Sequence, residues 1–246
     1  SNDATVVGSA QYGDGKVGDG FLFGGSNAYS VAASPSMAVT SFTIESWVKP
    51  SATTPQPIAE YCNENGYGSI HLWHNIHPYG ANIVGALYAV VRGNDGSYIE
   101  IYTPANAVPA GEWSHVAFTM DYSSKIARLL VGGQVLAEGT NQNLAVPESA
   151  VQFNIGRRPE GSSDLLNGTR FRGSIDELSV YNRALTPAEV DGIYQAGSAG
   201  KCSGPVGEPP VITSQPANQT VNVGGQAVFE VTAVSSNSLS YQWYWN

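Results

Sequence analysis

The chain is poor in charge. Asp, Glu, Lys and Arg make up 13% of its 246 residues, about half the ~25% of an average soluble protein. Basic residues are the scarcer kind, 11 Lys and Arg against 20 Asp and Glu, for a net charge of −9. That balance argues against nucleic acid or an anionic membrane surface as partner, since either needs a basic face. No apolar run approaches the ~18 residues of a membrane-spanning helix, so no membrane insertion is expected. Cysteine is limited to Cys62 and Cys202, too far apart for a CxxC redox pair or a cysteine-built zinc site. The chain opens Ser1-Asn2-Asp3 with neither Met nor signal peptide, and is expected to be a mature product or an excised piece of a longer protein.

What is plentiful is Gly (28), Pro (14) and Tyr (13), a composition that suits an exported β protein. Residues 1–200 read as short strands separated by turn signals at regular spacing, the pattern of a sandwich. Phe42 to Lys49 alternates, with Phe42, Ile44 and Val48 on one face, and Pro50 stops it. Gly132-Gly133 allows the positive φ angles of a tight hairpin within Ile126–Glu138, and Gly93-Asn94-Asp95-Gly96 does the same between Ala86–Arg92 and Ser97–Tyr102. One helix is expected near 187–195. Thr186-Pro187-Ala188-Glu189 combines an N-cap hydroxyl, Pro at the first helical position and Glu at N3; Val190, Ile193 and Tyr194 form its apolar stripe and Gly197 its end.

Residues 204–210 read as a linker, rich in Gly and Pro. Beyond it, Val211–Thr213, Gln219–Val223, Ala227–Val234 and Leu239–Trp243 read as four strands. With its Gly-Gly turn, Phe229 where a B-strand cysteine is usual, and Tyr241-Gln242-Trp243 at the C strand, segment 211–246 resembles the first half of a bacterial immunoglobulin-like domain. Half a sandwich cannot close its core, so other domains of the same longer chain are expected to follow.

Four stretches of residues 1–203 carry a second resemblance: Gly15-Lys16-Val17-Gly18-Asp19-Gly20-Phe21-Leu22-Phe23, Phe42 to Pro50, Gly111-Glu112-Trp113-Ser114-His115-Val116-Ala117, and Gly173 to Thr186. In this order they are similar to the laminin G-like jelly rolls of the concanavalin A-like superfamily. The resemblance implies an all-β, two-sheet antiparallel jelly-roll sandwich with one short C-terminal helix. It says less about function, because the fold hosts lectins, adhesion modules, pentraxins and glycosidase relatives. Such jelly rolls often hold one calcium between the N-terminal Gly-rich segment and the last strand, where this chain has Asp14, Asn27 and Asp176. A structural Ca²⁺ site and a reading of Asp14 as a turn residue and Asp176 as a buried hydrogen-bonded acid both stand open. Where the family often reads Phe-Asp-Gly-Ser-Asp-Asp-Tyr, this chain reads Phe23-Gly24-Gly25-Ser26-Asn27-Ala28-Tyr29, so coordination would lean on carbonyls.

Catalysis is not expected. β-Glucanase chemistry needs two carboxylates about 5–9.5 Å apart, which on a strand means acids at i, i+2 or i+4. Glu45, Glu60, Glu100 and Glu177 are scattered, and Asp176 and Glu177 are adjacent and so point to opposite faces. His71-x-x-His74-x-x-His77 lacks the spacing of two that shares a strand face and reads as a polar rim; His115 reads as a structural hydrogen-bonding residue. Cys62 and Cys202 are expected to pair, pinning the linker to the sandwich in an oxidising compartment.

The outward faces of three segments carry the functional expectation. If Ile70 and Leu72 face the core, His71 and Trp73 face out; by the same alternation Tyr88, Val90 and Arg92, then Tyr98, Glu100 and Tyr102, face out. Should these strands be neighbours, one surface gathers His71, Trp73, Tyr88, Arg92, Tyr98, Glu100 and Tyr102. Flat aromatics beside hydrogen-bonding groups are what a sugar ring needs. The chain is therefore read as a non-catalytic glycan-binding module of a secreted, cell-surface or periplasmic protein, with an adhesion module binding a protein partner as the alternative.

Overall fold

In the computed structural model, residues 2–63, 68–76, 83–159, 168–201, 211–222 and 224–234 are described. The chain divides into two compact units, residues 1–200 and 201–246. The first is a sandwich of two antiparallel seven-stranded sheets. Its strands are β1 (Ala4–Val7), β2 (Tyr12–Asp14), β3 (Asp19–Gly24), β4 (Ala28–Val31), β5 (Phe42–Pro50), β6 (Gln56–Cys62), β7 (Gly68–His74), β8 (Leu87–Arg92), β9 (Tyr98–Tyr102), β10 (Ser114–Asp121), β11 (Ile126–Val131), β12 (Gln134–Thr140), β13 (Phe153–Ile155) and β14 (Arg172–Tyr181). The front sheet runs β1-β4-β13-β6-β7-β8-β9 and the back sheet β12-β11-β10-β5-β14-β3-β2.

Alternation builds the core between them. Phe42, Ile44 and Val48 of β5, with Val116, Phe118 and Met120 of β10, face Ile70 and Leu72 of β7, Leu87, Ala89 and Val91 of β8, and Ile99 and Ile101 of β9. Each large side chain so enclosed contributes ~1.5–3 kcal/mol relative to an exposed one. Phe42 and Phe118 meet edge to face with centroids 5.1 Å apart. Gly132 and Gly133, at φ 56° and 76°, make the tight turn from β11 to β12.

The expected helix is α1 (Pro187–Ala196). Thr186 Oγ1 accepts a hydrogen bond from the Glu189 amide at 3.3 Å, and the Thr186 amide donates to Glu189 Oε2 at 2.8 Å, closing the capping box. Val190 seats the helix against Ala117, Leu130 and Leu185 on the outer side of the back sheet.

In the second unit, β15 (Val211–Ser214) pairs antiparallel with β16 (Thr232–Val234). Residues 219–222 and 227–231 form no strand, and Phe229 is half exposed rather than buried in a B-strand position. Tyr241-Gln242-Trp243 lies outside the described residues. The described residues therefore do not reproduce the immunoglobulin-like half-domain; two short strands bury too little to define one.

Candidate functional site

β7, β8 and β9 are consecutive neighbours, and their pairing has no bulge. The alternation read from sequence therefore carries through all three. On the face turned away from the core, register aligns Trp73 with Tyr88 and Tyr102, His71 with Val90 and Glu100, and Arg92 with Tyr98. All seven residues expected there share that face.

They differ in exposure. Tyr98 and Tyr102 remain 49% and 43% exposed, and Arg92 is exposed with its guanidinium 5.0 Å from the Tyr98 ring centroid. Trp73 is only 1% exposed, which corrects its expected role as an open stacking platform. It is not buried between the sheets, however. It packs with Tyr88 and Val90 in a small cluster of its own, under Ile76 from the following loop, and Arg158 lies 5.8 Å from its ring centroid. A cavity of about 150 Å³ opens on this cluster, lined by His71, Trp73, Ile76, Tyr88, Val90, Arg92 and Arg158.

Beneath it lies a carboxylate that the sequence reading left among scattered acids. Glu60 of β6 is completely buried. Its Oε1 lies 2.6 Å from His71 Nδ1, accepts from Arg158 Nη1 at 2.9 Å, and also accepts from the Trp73 indole N–H. Burial alone would push the Glu60 carboxyl up, but His71, Arg158 and Trp73 together hold it below the ordinary carboxylate range. Glu60 reaches this face because of a bulge. Pro57 pairs with Trp73 and Ala59 with Leu72, so Ile58 is one extra residue and the phase of β6 changes there.

Arg158 arrives from another direction. Gly156 follows β13 at φ 70°, and a Cβ there would come within 2.3 Å of the Phe23 ring. Its amide donates to the Ile58 carbonyl at 3.0 Å, and Arg158 follows it onto the Glu60 carboxylate. At the far edge, the Tyr88 hydroxyl donates to Glu100. Burial first, then Glu100, pushes that hydroxyl up, so it stays protonated.

The other expected residues are placed elsewhere. His74 faces inward, with Nε2 2.8 Å from the Val108 carbonyl; His77 lies outside the described residues. His115 is structural as expected, its Nε2 3.0 Å from Glu45 Oε2. Cys62 is a free, fully buried thiol that donates to Glu60 Oε2 at 3.5 Å and accepts from Asn154 Nδ2 at 3.5 Å. The expected bridge to Cys202, itself outside the described residues, is not formed; the Cys62 sulfur is taken up in the polar layer beside Glu60. Burial pushes that thiol up, and Glu60 adds to the rise, so it is unreactive.

The side-chain oxygens expected to hold calcium belong to Asp14, Asn27 and Asp176. Asp176 Oδ2 accepts from the Lys16 and Val17 amides, both at 2.8 Å, and Oδ1 from the Glu177 amide at 2.8 Å. Asn27 accepts from the Gly24 amide at 2.9 Å and donates to the Leu22 carbonyl at 2.8 Å, closing its own turn. Asp14 pairs with Asp19 across β2 and β3 and is exposed. Among the described residues no three His, Cys, Asp or Glu side chains are placed to share a metal ion. Asp176 and Asn27 hold backbone amides in this arrangement, and a calcium ion, with six to eight oxygens, would have to draw on backbone carbonyls as well.

Solved structures share this architecture. Domain 4 of AbnA, a GH43 extracellular arabinanase from Geobacillus stearothermophilus solved in complex with arabinotriose, superposes with a TM-score of 0.56 at 21% identity, over 77% of this chain and 86% of that one. The binding domain of Paraclostridial Mosquitocidal Protein 1 gives 0.61 at 16% identity over 79% of this chain. The binding domain of botulinum neurotoxin DC, in complex with SialylT, gives 0.56 at 12% identity over 79%. This chain spans about half the length of the two toxin domains, 47% and 46%. Residues 23–191, well over half of the chain, match the Laminin_G_3 family, and with that match and the two-sheet fold the chain belongs to the concanavalin A-like lectin/glucanase superfamily.

Proposed function

We propose that residues 1–200 are a non-catalytic glycan-binding module of an exported protein, extracellular, cell-surface or periplasmic. The observation that carries this reading is the front-sheet cavity set beside two half-exposed tyrosines. Trp73, Tyr88 and Val90 give it an apolar floor, and Arg92 and Arg158 stand at its walls. Tyr98 and Tyr102 extend the same face with flat, exposed rings. At about 150 Å³ the cavity is well below the ~300–1,000 Å³ of drug-sized ligand sites, so it takes one sugar unit while neighbouring units stack on the tyrosines. The arabinotriose complex of the AbnA domain supports a sugar as the ligand of this fold.

The carboxylates argue for binding without chemistry. Register runs Glu60–His71–Val90–Glu100 straight across β6 to β9. At ~4.8 Å per strand the backbones of Glu60 and Glu100 stand about 14 Å apart, so the two side chains would have to lean towards each other to bring their carboxyl groups within the ~5–9.5 Å of a glycosidase pair. Glu60 is also engaged on both oxygens, by His71, Arg158 and Trp73 on Oε1 and by the Cys62 thiol on Oε2.

The test is a glycan array followed by titration of the hits. Tyr98→Ala and Tyr102→Ala should each weaken binding by ~0.5–1.5 kcal/mol beyond the area lost while leaving the melting temperature unchanged. Silence across the array would overturn the reading and favour a protein partner for this face.

A further inference from the structure

The hydrogen-bonding inventory of the cavity is one-sided. Both ring nitrogens of His71 are taken, Nδ1 by Glu60 and Nε2 by the Gly68 carbonyl at 3.3 Å. The Trp73 N–H is spent on Glu60, and the Tyr88 proton on Glu100. Neither carboxylate is among the lining residues: Glu60 is completely buried, and Glu100, half-buried on β9, accepts the Tyr88 proton. The charged groups on the walls are two guanidiniums, which donate and cannot accept, and one of them, Arg158, is already paired with Glu60. Arg92 is the more available. Among the described residues its guanidinium makes no ion pair; it lies against the Tyr98 ring and near the Tyr88 hydroxyl. A neutral sugar brings hydroxyls that must donate as well as accept, and among the lining side chains the Tyr88 oxygen is the acceptor they would find. A group that only accepts fits better, and Arg is the side chain whose fork matches such groups.

We propose that this cavity selects a sugar unit bearing an anionic group, a carboxylate or a sulfate, seated on Arg92 and Arg158. The inference rests on the glycan-binding reading above and narrows it to acidic glycans. The surrounding field makes the selection local. With a net charge of −9, the chain as a whole repels anions, so affinity for one must come from this site, and chiefly from Arg92, because Arg158 already balances Glu60.

The experiment is calorimetric titration of the full chain with matched pairs. Oligosaccharides ending in galacturonate, glucuronate or sialic acid are each set beside their methyl ester, and a sulfated oligosaccharide beside its desulfated form. Each pair keeps rings and linkages and changes only the charge. At least one anionic member should bind about tenfold or more tightly than its neutral partner, with affinity falling as salt rises. Whether an acid or a sulfate wins identifies the source of the anion. Arg92→Gln should erase the preference at unchanged melting temperature, and Arg92→Lys should keep part of it. Equal binding within every pair, or a preference that survives Arg92→Gln, overturns this inference and leaves the glycan reading intact. No binding by any sugar, charged or neutral, overturns both.

Discussion

The two sheets each bury a Glu–His pair on their outer face, and the chain treats the two pairs differently. On the back sheet, Glu45 and His115 are completely enclosed. Trp47 packs edge-on against His115 at 5.3 Å and beside Tyr194 of α1 at 5.7 Å, and Lys16 Nζ caps the indole at 4.3 Å. On the front sheet, Glu60 and His71 have Arg158 in place of a helix, and a cavity where Tyr194 would be. The same buried chemistry thus serves as a seal under a helix and as the foundation of a recess. Coverage, rather than residue type, separates a pair sealed under a helix from one beneath an open recess.

Removing a carboxylate should have the largest effect. Glu60→Gln should cost several kcal/mol in urea unfolding, since it leaves Arg158 without its partner and breaking a buried ion pair typically costs ~3–5 kcal/mol; Glu45→Gln, which loses a buried hydrogen bond to His115, should cost ~1–3 kcal/mol. If the comparison holds, a permissive temperature that leaves both variants folded should restore sugar binding to the Glu45 variant alone. Equal loss of binding in both would erase the distinction between the sheets.

Acid should act on the front sheet next. Burial, opposed by the Val108 carbonyl, holds His74 down at about 4 against an ordinary 6.5. The unfolded chain therefore takes up a proton that the native state refuses. The stability this creates is complete above pH about 6.5 and is lost as pH falls towards 4, on the order of 3 kcal/mol in total. Glu60, also held low, loses its contribution further down, as pH falls below the usual carboxylate range through its own folded value. Denaturation at a series of pH values should show the His74 slope, and His74→Gln should flatten it; a slope that persists in the variant would move its origin elsewhere.

Gly156→Ala should cost ~1–3 kcal/mol, because the positive φ strains any L side chain and the new methyl meets Phe23. Because Gly156 aims Arg158, its crystal structure should also show the guanidinium displaced from Glu60. An unmoved Arg158 would separate the turn from the site. Calcium should do least. With Asp176 and Asn27 committed to backbone amides, melting in EDTA and in excess calcium should coincide; a rise with calcium would restore the coordination reading.

The sequence was legible where structure is local or regular. Thr186 to Glu189 announces its capping box within four residues, and the outer faces of β7 to β9 follow from alternation because no bulge interrupts them. Glu60 escaped because Ile58 and Glu60, two apart, should share a face; the extra residue in β6 breaks the parity that alternation assumes. Trp73 shows a different limit. Alternation says which way a side chain points and nothing about what lies over it, and its cover comes from Ile76 and Arg158 on loops without periodicity. The Cys62 pairing was argued from compartment and count, neither of which knows that the thiol sits in a hydrogen-bonded layer.

The Asp176 clamp has a consequence for how the domain can be used. One carboxylate holds amides 160 and 159 residues away in sequence, and Gly200, where the unit ends, lies against Val17. The turn between β2 and β3 is thereby tied both to the last strand and to the residues that leave the sandwich, all on the back sheet. Tension applied where the chain leaves the sandwich would bear first on the Asp176 latch, away from the recess on the front sheet.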